Sequence, residues 1–340
     1  MTATLRDVAK RVGKSVTTVS RALHDYDDVS PETKALVRQI ATEIGYRPNT
    51  LAQRLQKQTS DTIGLIIPTF GPRFSDPFFS EFLAGIGNTA NRLGYDLLVS
   101  THPPGDQELE AYQQMVASRK VDGFICVRTR RKDARIEFLC EIDFPFVAFG
   151  RIEGENDFPY IDEDGSHGMK LVAQHLIQLG YQRIACIMPT LELMFAQKRL
   201  EGLRTGLAEN GVPLKDEYIR VGDLTQRSGY QNAIELLDLR NPPDAIAAGN
   251  DLMAFGAISA ALEHGLEVGQ DIGVTGFNDI PLAEHFHPAL TTVHQPIYQI
   301  GEMVSEMLIK RIKNQPLDQR QFLLKPKLVV RQSCGANSNT

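Results

Sequence analysis

The chain has 340 residues, 42% of them hydrophobic and 23% charged, with a formal net charge of −6. That length and apolar content allow more than one domain around a sizeable core, and they exclude a disordered or fibrous chain. No apolar run approaches transmembrane length, and the N-terminus lacks the apolar core of a signal peptide. The four cysteines (Cys126, Cys140, Cys186, Cys334) are too scattered for a metal site, so free thiols in a reducing cytoplasm are expected. The charge is uneven. Residues 1–60 hold ten Lys/Arg and six Asp/Glu, net +4; the remainder holds 26 and 36, net −10. A basic head on an acidic body is the asymmetry of a tethered nucleic-acid-binding module.

In chain order, Leu5, Val8, Ala9 and Val12 repeat at helical spacing. Gly13-Lys14-Ser15 then breaks the pattern as a helix-turn-helix turn does. Ser15 can cap a second helix, in which Val19, Ala22 and Leu23 face inward. Val16, Thr17, Thr18 and Arg21 point elsewhere, so this short polar helix suits a DNA major groove with its N-terminal residues against base edges. The alternative is a surface hairpin with a solvated basic face. Ser30-Pro31-Glu32 starts a third helix, through Leu36, Val37, Ile40 and Ile44, which Gly45 ends.

The combination of T-L-x-D-V-A at 4–9, T-V-S-R at 18–21, V-S-P-x-T at 29–33, and G-Y-x-P-N followed by A-x-x-L at 45–55 is specific. Residues 4–57 closely resemble the headpiece of the lactose-repressor/galactose-repressor (LacI/GalR) family of bacterial transcription regulators. The resemblance implies a homodimer on a near-palindromic operator, with Thr4, Ser15, Val16, Thr17, Thr18 and Arg21 at the DNA. It also implies a hinge helix over 49–57, capped by Asn49, which folds on the operator and pushes Leu55 into the minor groove.

Residues 58–62 read as a linker. Beyond it, buried strands alternate with helices. Strands are expected at 63–67, 95–99, 123–127 and 146–149, then at 183–188, 218–221, 245–248 and 272–276. Helices are expected at 78–93, 108–118, 134–141, 165–179, 197–209, 228–239, 252–263 and 297–312, and a last strand at 322–330. Continuous apolar strands alternating with helices mean parallel sheets covered on both faces. Two successive blocks mean two Rossmann-like lobes of the periplasmic-binding-protein type, which the resemblance also implies. L-x-G-L at 200–203 and P-A-L-T-T-V at 288–293 are its specific marks there. The boundaries expected are 63–160 plus 292–322 for the first lobe and 161–290 plus 323–335 for the second.

Two hinged α/β lobes bind a small ligand at the carboxyl ends of their strands. Phe78 and Phe79 suit stacking on a sugar ring or a base; helix packing is the alternative. Phe149, Asp162 and Phe195 join the candidate lining. By resemblance, Arg199 forks onto ligand hydroxyls, and Asn250 and Asn278 bond a polyol, although either asparagine can simply cap its helix. Asn278 stands where sugar-responsive relatives carry aspartate. Leu193 and Leu224 stand where the purine-responsive branch holds its base with an arginine and a phenylalanine. A sugar or glycoside is therefore the ligand class expected, and a purine or another small metabolite the alternative.

Gly85-Ile-Gly87-Asn-Thr-Ala90 fits a dinucleotide fingerprint but sits in mid-helix, away from any strand-to-helix turn, so it reads as a small face for helix packing. His285 and His287 read as surface or cleft-rim residues. No Walker loop or nucleophile elbow is present, and no metal or cofactor is called for. A ligand-controlled regulator acting on double-stranded DNA is the reading; a free sugar receptor or an enzyme on the same fold are the competitors.

Overall fold

The computed structural model describes residues 3–46, 59–69 and 76–335. The chain divides into two units, Met1–Ser60 and Asp61–Thr340.

The first unit holds α1 (Leu5–Val12), α2 (Val16–Leu23) and α3 (Pro31–Glu43). Their ends are written locally. Thr4 and Asp7 form a capping box on α1, the Asp7 carboxylate accepting from the Thr4 N–H at 2.8 Å. Gly13, at φ 70°, ends α1 in the left-handed conformation that glycine tolerates. Ser15 accepts from the Thr18 N–H at 3.0 Å to cap α2, and Ser30 caps α3 ahead of Pro31. Val8, Val19, Ala22, Val37 and Ala41 close a small core.

The second unit contains two six-stranded sheets of the same strand order. The first runs β11 (Gln321–Leu324), β5 (Tyr160–Glu163), β4 (Phe146–Phe149), β3 (Gly123–Cys126), β1 (Thr62–Pro68), β2 (Asp96–His102), all parallel. The second runs β12 (Lys327–Val329), β10 (Thr291–His294), β9 (Gly273–Asn278), β8 (Ala245–Ala248), β6 (Ile184–Pro189), β7 (Ile219–Gly222), with only β12 antiparallel. The central strands are buried on both faces, as Ile63, Leu65, Ile66 and Ile67 show in β1, because helices cover both sides.

Around the first sheet lie α4 (Pro77–Arg92), α5 (Asp106–Ala117), α6 (Ala134–Glu141) and α12 (Ile297–Ile312). Around the second lie α7 (Gly165–Gln178), α8 (Met194–Ala208), α9 (Gln226–Leu237), α10 (Asp251–Glu263) and the short α11 (Leu282–His285). The mid-helix glycine pattern divides. Gly85 packs against α12 so closely that a Cβ would lie 2.2 Å from the Tyr298 carbonyl oxygen, whereas Gly87 faces open space.

The lobe boundaries differ from those read along the sequence. β5 completes the first sheet, so the chain first crosses after Glu163 and not at 160–161. β10 belongs to the second sheet, and the chain returns only at 295–296. The expected single strand at 322–330 is two strands, one in each sheet. Pro326 lies between them and has no N–H to donate to a ladder. Strand β5, Tyr-Ile-Asp-Glu, is too short and polar to announce itself by periodicity.

Candidate functional site

Two surfaces carry the candidate residues. On the head, α2 presents Val16, Thr17 and Arg21 to the outside, Val16 at 40% exposure. Arg21 is held by an ion pair to Asp28 at 2.6 Å and lies 5.1 Å from the Tyr26 ring centre. The hydroxyls of Thr4, Ser15 and Thr18 are engaged in the caps of α1 and α2, where they aim the helices. Asn49, Leu55 and the hinge helix expected over 49–57 lie outside the described residues.

On the body, a cleft of about 570 Å³, its open mouth included, lies where the strand ends of the two sheets face each other. Phe78, Phe79, Phe149, Asp162, Phe195, Arg199 and Asn278 all line it. Asp76 caps α4 and so sets Phe78 and Phe79 at the end of β1. The Phe78 and Phe149 rings are nearly parallel at 5.8 Å, with Phe82 behind them. Phe79 is 1% exposed and lies beneath the Arg128 guanidinium at 5.0 Å.

Arg199 is not an exposed helix arginine; it is buried to 4%. Its guanidinium sits 3.6 Å from the Phe277 ring centre and 4.7 Å from that of Phe195. Nη1 donates to the Gly249 carbonyl at 2.6 Å, and Nη2 pairs with the Glu163 carboxylate. Burial pushes Glu163 up to about 7 against the pull of Arg199. Asp162 is likewise raised by burial, with Arg151 opposing from 2.7 Å. Asn278, at φ 116°, accepts from Gln295 Nε2 at 2.7 Å.

Asn250 requires a correction. It does not line the cleft: its Oδ1 caps α10 through the Met253 N–H, and its Nδ2 donates to the Leu224 carbonyl at 2.9 Å. It braces the wall from behind, and Leu224, held at φ 71°, is what reaches the surface. Leu193 is buried with Ala196 and Leu224 in a small apolar cluster.

Sequence reasoning passes over Arg128, Glu163 and Gln295, which also line the cleft. Arg128, at φ 50°, reaches the Pro68 carbonyl at 2.9 Å and Asp76 at 2.8 Å, and burial lowers its pKa. Glu163 had a signal, the run Asp162-Glu163-Asp164 where the chain leaves a sheet; Gln295 had none. Buried charges brace the β3 end: Arg135 pairs with Glu108 at 2.5 Å and Asp133 at 2.6 Å. From there two backbone bonds cross to the other lobe, Arg131 N to Glu192 O and Met194 N to Thr129 O, each 2.9 Å. His285 and His287 are exposed, and Cys126, Cys186 and Cys334 are buried free thiols while Cys140 is exposed. Among the described residues no group of three or more His, Cys, Asp or Glu could hold a metal, and no helix is long and apolar enough to cross a membrane.

Residues 4–49 match the sequence profile of bacterial regulatory proteins of the lacI family, and residues 173–334 that of a periplasmic binding protein-like domain. The HTH-type transcriptional regulator AglR of Rhizobium meliloti (strain 1021) is 36% identical over 339 residues, 98% of this chain and 95% of AglR. Among solved structures, the complex of the transcriptional regulator CelR with cellobiose matches at TM-score 0.76 and 30% identity, over 97% of this chain and 99% of that one. The Lac repressor dimer bound to operator and the anti-inducer ONPF matches at TM-score 0.87 and 29% identity, over 99% of this chain and all of that one, 100%.

Proposed function

This chain belongs to the LacI family of bacterial regulatory proteins and is a DNA-binding transcription regulator, and we propose that it is a homodimeric, cytoplasmic repressor whose operator affinity is set by a sugar or glycoside bound between its lobes. One observation carries the effector half of this reading. Glu163, Arg199 and Gln295 are each at least nine-tenths buried, line the cleft, and keep one polar atom without a protein partner: Oε2, Nε and Oε1. Buried polar groups ordinarily find partners, so three unmatched ones on residues of one cleft support a polar ligand there. Beside them the flat faces of Phe78 and Phe149 suit the apolar face of a sugar ring. The cellobiose bound by CelR is of the same chemical class.

For the DNA half, Val16, Thr17 and Arg21 form the reading face of α2, and Thr4, in the cap of α1, and Ser15 and Thr18, in the cap of α2, position the two helices at the DNA. One headpiece spans too few base pairs for a unique site, and two-fold proteins match two-fold operators; the Lac repressor neighbour is a dimer on its operator. The effector acts by preferring one lobe arrangement over another, since equal affinity for both shifts nothing. No catalytic step is assigned to any residue. A gel-shift assay with genomic fragments, with and without candidate sugars, tests the whole reading. Retardation that a sugar changes is the expected result; a chain that retards no fragment, or whose retardation no small molecule alters, overturns it.

A further inference from the structure

We propose that the cleft selects an uncharged polyhydroxylated effector and rejects phosphorylated or otherwise anionic sugars, with Glu163 and Gln295 as the selecting acceptors. This rests on the effector reading above. Two observations carry it.

The first is charge balance. Every ionic side chain that lines the cleft already has its counter-ion: Asp76 with Arg128 at 2.8 Å, Asp162 with Arg151 at 2.7 Å, and Glu163 with Arg199. Among the described lining residues no cation is left over for a ligand's negative charge. An anion entering here would leave water and meet buried carboxylates instead, where little screening remains.

The second is the hydrogen-bond inventory. Glu163 spends one carboxylate oxygen on Arg199 and leaves Oε2 open. Gln295 spends its amide N–H on Asn278 and leaves Oε1 open. Arg199 spends Nη1 and Nη2 on Gly249 and Glu163 and leaves the Nε hydrogen open. The unmatched set is therefore two acceptors and one donor. A hydroxyl both donates and accepts. The hydroxyls of a polyol supply donors for the two acceptors and a lone pair for Arg199 Nε. A phosphate or carboxylate accepts, so with Glu163 ionised, above its value of about 7, it would match Nε and face Glu163 and Gln295 oxygen to oxygen. An ammonium would match the acceptors and leave Nε unsatisfied.

The experiment uses the full-length chain in thermal-shift and calorimetric titrations at about pH 8.5, where Glu163 is ionised. The probes are glucose, cellobiose, maltose, trehalose and sucrose against their 6-phosphates, with hypoxanthine as a base lacking sugar hydroxyls. A ligand bound only by the folded state raises the melting temperature. At least one neutral sugar is expected to do so, and its phosphorylated counterpart to bind at least about tenfold more weakly, a loss of about 1.4 kcal/mol. In Glu163→Gln the amide oxygen must face Arg199, which turns the NH₂ donor toward the ligand. That variant is expected to lose neutral-sugar affinity and to narrow the preference for neutral over phosphorylated sugar. Gln295→Met removes the second acceptor without a charge change and guards against a folding defect in the first variant; the same loss is expected. A phosphorylated sugar that binds as tightly as its neutral counterpart overturns the inference, as do two variants that bind like wild type. Hypoxanthine binding that alters the gel shift, with no response to sugars, overturns the inference and leaves an effector-controlled repressor standing. Silence from every probe with operator binding intact overturns the effector reading too.

Discussion

Arg199→Ala is the most informative perturbation of the cleft. Its loss is expected to abolish the ligand response and spare DNA binding. The structure adds a cost in stability. The guanidinium lies between two aromatic rings and neutralises a carboxylate that is itself 4% exposed. Breaking a buried pair by removing one partner costs about 3–5 kcal/mol, since the other charge is stranded. That cost depends on pH. Glu163 in the folded protein sits at about 7, above its unfolded value of about 4.3. The folded state therefore holds this proton more tightly, and stability falls as pH rises from the unfolded value through the folded one. Without Arg199 the folded value climbs further, and each added unit contributes about 1.36 kcal/mol to the deficit at high pH. Urea unfolding followed by circular dichroism, at about pH 6 and about pH 8.5, reads this directly. The expected result is a modest deficit in acid that grows in base, and a double variant Arg199→Met, Glu163→Gln that recovers much of it. A deficit equal at both pH values, or one below about 1 kcal/mol throughout, would refute Glu163 as the stranded charge.

Three further outcomes are expected. Arg21→Ala should cost about 1–3 kcal/mol of operator binding, the worth of a bidentate contact to guanine, while random-sequence DNA is held almost as before; equal loss on both in a competition gel shift removes Arg21 from base reading. Gly301→Ala should destabilise the body by about 1–3 kcal/mol despite the better helix propensity of alanine, because a Cβ there would lie 2.6 Å from the Phe82 carbonyl oxygen of α4; a higher thermal midpoint contradicts that crossing. Leu55→Ala, in the expected hinge helix, should weaken operator binding and reduce DNA bending, measured by circular-permutation gel shift, without changing sugar affinity or dimerisation, because an apolar wedge between base steps is what it would remove; unchanged bending excludes the wedge.

What the sequence determined by itself is whatever local chemistry decides. Thr4, Ser15 and Ser30 are caps because a hydroxyl one position ahead of a helix meets its free N–H groups wherever the helix goes. Gly13 closes a helix because only glycine sits there without strain, and runs such as Ile63–Ile67 are strands buried on both faces because nothing in them could face water. Those signals carried the head, the alternation of strands and helices, the two-lobed body, and the aromatic pair at the end of β1. Tertiary structure decided the rest, through partners far apart in sequence. Asn250 reads equally as a helix cap or a ligand contact; in the fold its Oδ1 caps α10 and its amide donates to the Leu224 carbonyl, 26 residues away. Glu163 and Gln295 come together only because the chain crosses between the sheets at both places, the ends of β5 and β10. Arg199 is singled out in the sequence only by the resemblance, and it is buried because Phe277, Phe195 and Glu163 close around it. Periodicity reports which face of an element turns inward, but it says nothing of which other element waits there. Burial and hydrogen-bond matching at those meetings depend on sheet order and on where the chain changes lobe, and both are properties of the whole fold.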